Sequence, residues 1–332
     1  MTRVSAVRIQ KHDDLAGAFR AALRQAPGLL PDALPKQVVI KPNLCDIAAW
    51  ETGVTTDPRW LGVLAGELRA VRSDVEIRVV ESDAISAYKS FRSCDETFER
   101  LGFVAAAREA GIELMNLSSA DSIELQLPDL PLPVRIPQLF LTEMFFISVA
   151  NLKVHGYTRM TGVLKNSIGL LTDADISAFH PYLTTLISRL HALCPPDLCI
   201  IDGRIGLEGR GPIMGDPVQM NTLLLGNDAL SVDEAACRLM EIPVGDVQYL
   251  QQTARDAARS LGEFEIVGDF RSRCFAFDSS NTLPVIRAKF ANRRLHQRLA
   301  DFSNLWIDRA FRFRREPRTL MKSAFAKLVG SG

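Results

Sequence analysis

Met144-Phe-Phe-Ile-Ser-Val-Ala150, running into Asn151-Leu-Lys-Val-His155 and then Gly156-Tyr-Thr-Arg-Met-Thr-Gly-Val-Leu-Lys-Asn-Ser-Ile-Gly169, decides the fold. The first seven residues form a short, continuous apolar run rich in β-formers, the pattern of a strand buried on both faces of a parallel sheet. A strand of that kind ends at a polar crevice, because in open α/β sheets the carboxyl ends of the strands face the ligand. Asn151, Lys153 and His155 are therefore expected to enter such a crevice together. Thr161, Gly162, Lys165 and Asn166 follow at a spacing that suits a loop turning into a helix N-terminus, where backbone N–H groups gather around an anion.

Working outward, strand-like and helix-like segments alternate, which predicts βαβ units: an α/β fold with a mostly parallel sheet and helices on both faces. Upstream, strands are expected at Arg3–Ile9, Gln37–Ile40, Val75–Val80 and Ile112–Asn116. Helices are expected at about Asp14–Gln25, from Pro58 to about Val71, and from about Asp95 to Ala110. Thr56 or Asp57 is the expected cap of the second helix, with Pro58 tolerated in its first turn. The Pro-rich passage Leu127–Pro137 reads as a hairpin or an edge. Downstream come a helix from about Pro181 to Leu193, a strand Leu198–Ile201, a glycine-rich loop Gly206–Gly215, a strand Thr222–Leu225, and a helix capped by Asn227-Asp228 that carries Asp233. The expected domains are an α/β unit over 1–285, open to division into lobes at about 1–140 and 141–285, and a tail over 286–332.

The 332 residues, 47% of them hydrophobic, suffice for a sizeable core. Lys plus Arg equals Asp plus Glu at 39 each, but from Arg287 onward there are 12 Lys/Arg against three Asp/Glu, leaving 27 against 36 before it. The N-terminal residues carry no apolar signal-like run, and no segment approaches the roughly 18 apolar residues of a membrane span. A cytoplasmic protein is expected. Six scattered cysteines without a C-x-x-C pair argue against a disulfide framework, a thiolate metal cluster or an iron–sulfur cluster.

Placed on this map, Lys41 and Asn43, Glu81, Lys153 and His155, and Asp202 each follow a different predicted strand. Convergence from distant positions points to one crevice. Lysines supply fixed positive charge for a carboxylate or phosphate, a histidine moves protons near neutral pH, and carboxylates orient either or bind a metal. His180 is of interest for its nearness to the Lys165 loop. Simpler readings stand beside these: Lys41 as a solvated strand end, Glu81 as a cap or ion-pair partner, His155 as a structural histidine, His180-Pro181 as a helix entry. Asp228 reads as a cap, and Asp233 as lying at the surface or facing the site. The Gly206–Gly215 loop matches neither a P-loop nor a dinucleotide fingerprint.

Lys41-Pro-Asn43, Thr55-Thr-Asp-Pro58, Lys153-Val-His155, Thr161-Gly-Val-Leu-Lys-Asn166 with Gly169, Asp202-Gly203, Glu208-Gly-Arg-Gly-Pro212 and Asp228 to Asp233 together resemble the family called domain of unknown function 362, over about Gln37 to Gly268. The resemblance implies ligand-binding roles for Thr56, Thr161, Asn166 and Glu208 beside Lys41, Asn43, Lys153 and Asp202. Many members of that family carry a ferredoxin-like cysteine segment; this chain departs from them, since its C-terminal part holds only Cys274. A second resemblance is to lactate racemase-like enzymes, in which a nickel-pincer nucleotide is attached to a lysine in a Gly-rich loop between two histidines. His155, Thr161-Gly162, Lys165, Gly169 and His180 are similar in kind and order. That resemblance implies Lys165 as a tether and His155 or His180 as acid/base or as a metal ligand. Against it stand Asn166 after the lysine and the Lys-Pro-Asn motif itself.

In the tail, Phe302, Leu305, Trp306, Phe313, Met321, Phe325 and Leu328 fall at helical spacing with interleaved Arg and Lys, broken by Pro317. Two readings stay open: helices docked on the acidic body, or an amphipathic contact with an anionic membrane or a protein. Nucleic acid is not an expected partner, because no recognised module accompanies the charge. The reading that unites the residues is an enzyme acting on a small anionic metabolite by isomerase, racemase or lyase proton chemistry. His155, His180, Lys165 and Glu81 are its candidate catalytic groups. The competing class is a non-catalytic cofactor-binding or redox accessory protein.

Overall fold

The computed structural model describes residues 2–9, 14–85, 91–173 and 176–278. The first strands are β1 (Thr2–Arg8), β2 (Gln37–Pro42) and β3 (Glu76–Glu81). β4 (Ala84–Ile85) and β5 (Phe91–Arg92) pair as a short hairpin, and β6 (Glu113–Asn116) follows. A second hairpin joins β7 (Ser122–Leu125) to β8 (Val134–Pro137), within the Pro-rich passage read as a hairpin or an edge. The remaining strands are β9 (Phe145–His155), β10 (Arg159–Thr161), β11 (Leu198–Glu208), β12 (Asp216–Gly226) and β13 (Phe264–Gly268).

Nine strands form one sheet in the order β13-β1-β12-β11-β9-β2-β3-β6, with β10 paired to β9. Neighbours from β11 to β6 are all parallel, as are β1 and β13; β12 runs antiparallel to both β1 and β11. From β2 the chain steps outward through β3 to β6, then returns to β9 on the other side of β2. The gap between β2 and β9 is thus a topological switch point, where crossovers leave on opposite sides and open a crevice at the strand C-termini.

Both faces of this sheet are covered, which is why its central strands are apolar on both sides. On one face Val38, Ile40, Ile77, Ile147 and Ile200 pack under α1 (Leu15–Gln25), α2 (Trp60–Val71), α3 (Cys94–Arg100) and α4 (Phe103–Ala110), through Phe19, Trp60, Phe98 and Phe103. On the other face, one residue out of phase, lie Val39, Val80 and Phe146 beneath α6 (Leu183–Leu193), the helix that follows the short α5 (Val163–Asn166). Ala150, Leu152 and Ile201 lie beneath α7 (Ala229–Leu239) and α8 (Gln248–Asp256). The period of two along Val38-Val39-Ile40 sends neighbours to opposite cores.

Three boundaries differ from those the sequence suggests. The central strand does not end near Ala150: β9 runs on to His155 because Asn151 pairs with Asp202, and Lys153 with Leu207 and Thr161. Likewise β11 extends through Gly206 to Glu208, paired to β12, so the first three of the ten residues of the expected glycine loop are strand. The helix expected over Asp95–Ala110 is two helices, broken at Leu101-Gly102, where Gly102 takes a left-handed φ of 79°. No helix among the described residues is long and apolar enough to cross a membrane. The chain divides into one unit over Met1–Pro284 and another over Val285–Gly332. The basic tail expected over 286–332 lies outside the described residues.

Candidate functional site at the strand C-termini

β2 and β3 deliver Lys41 and Glu81 side by side. The Lys41 Nζ donates to Glu81 Oε2 at 2.6 Å and to the Pro42 carbonyl at 2.8 Å, and both side chains are buried. Asn166, from α5, closes over them by donating to the Lys41 carbonyl and to Ser148 Oγ. Gly169 completes the seal: a Cβ there would lie 2.6 Å from both Glu81 Oε1 and Lys41 Nζ. Lys41 and Glu81 therefore neutralise one another in a sealed ion pair.

At the switch point, Asn43 donates from Nδ2 to Asn151 Oδ1 (2.9 Å) and to the Val54 carbonyl, while Thr56 Oγ1 accepts from the Asn43 N–H. Asn151 donates in turn to the Thr55 carbonyl. These three polar side chains tie the loop after β2 to β9. Asp202, at the turn of β11, accepts from Trp60 Nε1 at 2.8 Å and from Arg204 Nη2 at 2.7 Å; the same guanidinium reaches Asp57 Oδ2 at 2.7 Å and lies over the Trp50 ring. Burial pushes the Asp202 carboxyl up, but Arg204 and Trp60 outweigh it and hold it below the usual carboxylate range. This charge cluster is closed on itself too.

The third group is different. The Lys153 Nζ, buried, donates to the Val54 carbonyl at 2.7 Å and contacts Cys45 Sγ at 3.1 Å. Thr161 Oγ1 donates to the Lys153 carbonyl at 3.4 Å, pinning β10 to β9. Lys165, on α5, is partly exposed and makes no hydrogen bond or ion pair with any described residue. Burial pushes its ammonium down to about 8, the Lys153 charge adds to the effect, and Cys45 alone opposes it. His155 is held well below its ordinary value, first by burial and then by Lys165, Lys153 and His180. Its Nδ1 accepts from the Tyr157 and Thr158 N–H groups at 3.1 and 3.2 Å, so the neutral ring carries its proton on Nε2. Here two lysines and two histidines share one neighbourhood, and no carboxylate figures among the groups that act on Lys165 or His155.

The N-terminus of α5, expected to receive an anion, already holds one. Asp233 Oδ1 and Oδ2 accept from the Val163 and Leu164 N–H groups at 2.6 and 3.0 Å. Asp233 lies neither at the surface nor in the crevice but is fully buried under α5. A Cβ on Gly162 would collide with its carboxylate, which is why glycine stands there. Burial raises the Asp233 carboxyl to about 7, against the two N–H donors. The anion of the sequence pattern is thus the protein's own side chain.

Glu208 is tied to the chain's later segment, accepting from Arg273 Nη2 and from the Ala276 N–H at 2.9 Å each. An open concavity lined by Thr2, Asn227, Asp228, Arg259, Gly262 and Glu263 lies at the opposite end of the sheet, beside the start of β11. Its Asp228 and Arg259 pair at 2.6 Å. The structure so divides the sequence-derived residues: Lys153, His155, Lys165 and His180 share one neighbourhood, Lys41 and Glu81 form an ion pair sealed by Asn166, and Asp202 and Glu208 serve other contacts. Sequence reasoning missed Arg204 and Cys45. Arg204 sits two residues beyond Asp202, a spacing that returns a strand side chain to the same face; Cys45 gave no signal beyond following Lys41-Pro-Asn.

A family model described as domain of unknown function 362 matches residues 38–238. No curated protein matches the chain. Among solved structures, the lactate racemase apoprotein from Thermoanaerobacterium thermosaccharolyticum is similar at 10% identity with a TM-score of 0.47. The similarity covers 73% of this chain and 57% of that one, so the chain spans little more than half of the racemase's length. With its model matched over more than half of the 332 residues, the family is established, and the chain belongs to the domain of unknown function 362 family.

Proposed function

We propose that this protein is an enzyme that binds a small anionic metabolite beside the C-terminal part of β9 and the β10–α5 connection and moves a proton beside its carboxylate, as isomerases, racemases and lyases do. One observation carries the reading. Lys41 is matched by Glu81, and Arg204 by Asp202 and Asp57, whereas Lys165 has no hydrogen-bond or ion-pair partner among the described residues and stands in the field of Lys153. Uncompensated positive charge of this kind attracts a carboxylate or phosphate, and a partly buried setting strengthens the attraction. His155, neutral with its proton on Nε2, and His180 supply the groups that hold or move a proton. Glu81 is assigned a structural part in this reading, as the counter-charge of Lys41.

The test is solvent-deuterium incorporation next to the carboxylate across 2-hydroxy, 2-oxo and 2-amino acids, with binding followed in parallel. A catalyst with His155→Asn should retain ligand and lose exchange. A carrier should show no exchange in either form, and that result would replace the enzyme by a cofactor-binding accessory protein. A cytoplasmic setting belongs to this proposal, as does a membrane or protein contact for the basic tail. Liposome association that survives truncation after Leu283 would remove the membrane contact.

A second use of the same residues is a covalently held cofactor of nickel-pincer type. The donor set fits: a partly exposed lysine with no partner among the described residues for the tether, with His155 and His180 nearby to act on a substrate. Such a group would supply metal-centred chemistry at a 2-hydroxy acid. Metal content and peptide mass across Lys165, measured on protein from its native host, decide the matter: nickel with an adduct supports the group, and an unmodified metal-free chain removes it.

A further inference from the structure

The hairpin that joins β9 to β10 closes on a residue that does not suit it. Arg159 takes a φ of 68°, in the left-handed region where a Cβ crowds the following carbonyl oxygen and where glycine or asparagine is the usual occupant. A strained residue persists only where its surroundings over-determine it. Here they do so from two sides: Arg159 Nη2 donates to Asp246 Oδ2 at 3.1 Å, and the guanidinium carbon lies 3.9 Å from the centroid of the Phe277 ring. Phe277 is itself held in place. Its neighbours bond to the end of β11, the Gly209 N–H donating to the Ala276 carbonyl at 2.7 Å and the Asp278 N–H to the Gly209 carbonyl at 3.1 Å, while Glu208 accepts from the Ala276 N–H.

The strained turn serves one acceptor. Arg159 pairs across the hairpin with His155, and the chain between them bends so that the Tyr157 and Thr158 N–H groups both donate to His155 Nδ1, at 3.1 and 3.2 Å. The Gly156 N–H is tied separately to the Gly211 carbonyl at 3.1 Å, so the freedom left in the turn lies at its Arg159 end. A right-handed Arg159 would redirect the peptide groups before it, and a ring without those donors is free to hold its proton on either nitrogen. We propose that Arg159, held left-handed by Asp246 and Phe277, is a positioning residue that fixes which nitrogen of His155 carries the proton. The inference rests on the proton-transfer reading above and deepens it. With Nδ1 occupied, Nε2–H is the ring's remaining point of exchange, and His155 meets a ligand there as a donor; the base has to be another group.

The experiment is long-range 1H–15N NMR of the full-length protein with labelled histidine, at neutral pH and without ligand, the His155 ring being assigned from the signals lost in His155→Asn. The wild type should show one tautomer, with Nδ1 bare and Nε2 protonated. Arg159→Ala, which loses both anchors and disfavours the left-handed backbone, should move the His155 Nδ1 resonance toward the protonated position and speed amide exchange at Tyr157 and Thr158 by about tenfold or more. Arg159→Gly loses the same anchors but adopts that backbone without strain, so its tautomer should lie nearer the wild type than that of Arg159→Ala. Should Arg159→Ala fail to fold by circular dichroism, the half-buried Phe277 carries the test: Phe277→Ala should shift the tautomer in the same direction, and Phe277→Trp, which keeps a ring under the guanidinium, should restore it. Faster exchange at Tyr157 and Thr158 with an unmoved tautomer would show that Arg159 only braces the hairpin, and would overturn the proposal. A tautomer that shifts in a protein whose solvent-deuterium incorporation is absent, or survives His155→Asn, keeps the positioning role and removes the proton-transfer reading. Incorporation that depends on His155 while the tautomer ignores Arg159 does the reverse.

Discussion

At the scale of single residues, the strand ends are governed by which charges find a partner. Glu81 and Lys41 are buried together, so removing one leaves the other as an unpaired buried charge. Glu81→Gln should destabilise the fold by about 3–5 kcal/mol, read as a shift in the denaturant midpoint at unchanged slope; a shift near zero would mean that the pair is solvated. Asp233 makes a second, pH-dependent prediction. Its folded value near 7 lies above the ordinary 3.8, so between those values the native state holds the proton more often than the unfolded one. The stability from this group is complete below 3.8 and is lost as pH rises through 7. Melting curves of the wild type should lose that component between those limits, and Asp233→Asn should lack it. Equal pH dependence in the two proteins would refute the assignment.

At the scale of elements, α5 is too short to be stable by itself and is held by what its ends touch. Asp233 grips its N-terminus, Asn166 fastens its C-terminal residue to Lys41 and Ser148, and Lys165 lies between. Gly162→Ala would drive a methyl group into the Asp233 carboxylate. It should raise amide exchange at Val163 and Leu164 and lower stability by about 1–3 kcal/mol; unchanged exchange would show that Asp233 yields at no cost. Much of this level was legible beforehand. The apolar run at Phe145–Ala150 and the alternation of segments announced a parallel sheet covered on both faces, and Asn227-Asp228 announced the cap of α7, where Asp228 accepts from the Leu230 N–H. The extension of β9 to His155 was hidden, because its pairs are with Asp202, Leu207 and Thr161, far along or across a hairpin in sequence. The partner of α5 was hidden for the same reason: Asp233 follows Gly162 by some seventy residues, and no local pattern links a helix start to a distant buried acid. His155 and Lys165 could be read as candidates from their types, whereas the sealing of Lys41 by Glu81 depended on which strands are neighbours.

At the scale of the whole molecule, the sheet order sets where chemistry can occur. The return from β6 to β9 places the switch point beside β2, and there Asn43, just after β2, meets Asn151 of β9, while Asp202 of β11 takes Trp60 of α2. Within that region the charges cancel on both flanks, while Lys153 and Lys165 have no ion-pair partner among the described residues. The proposed function therefore stands on Lys165 as a lysine without a counter-ion among the described residues. Its most direct test is an NMR titration of the Lys165 side chain in isotope-labelled protein, with and without a small carboxylate such as acetate. The account predicts a midpoint near 8 in the free protein, moving upward when the carboxylate supplies the missing negative charge. A midpoint at the ordinary 10.5, unmoved by acetate, would contradict it.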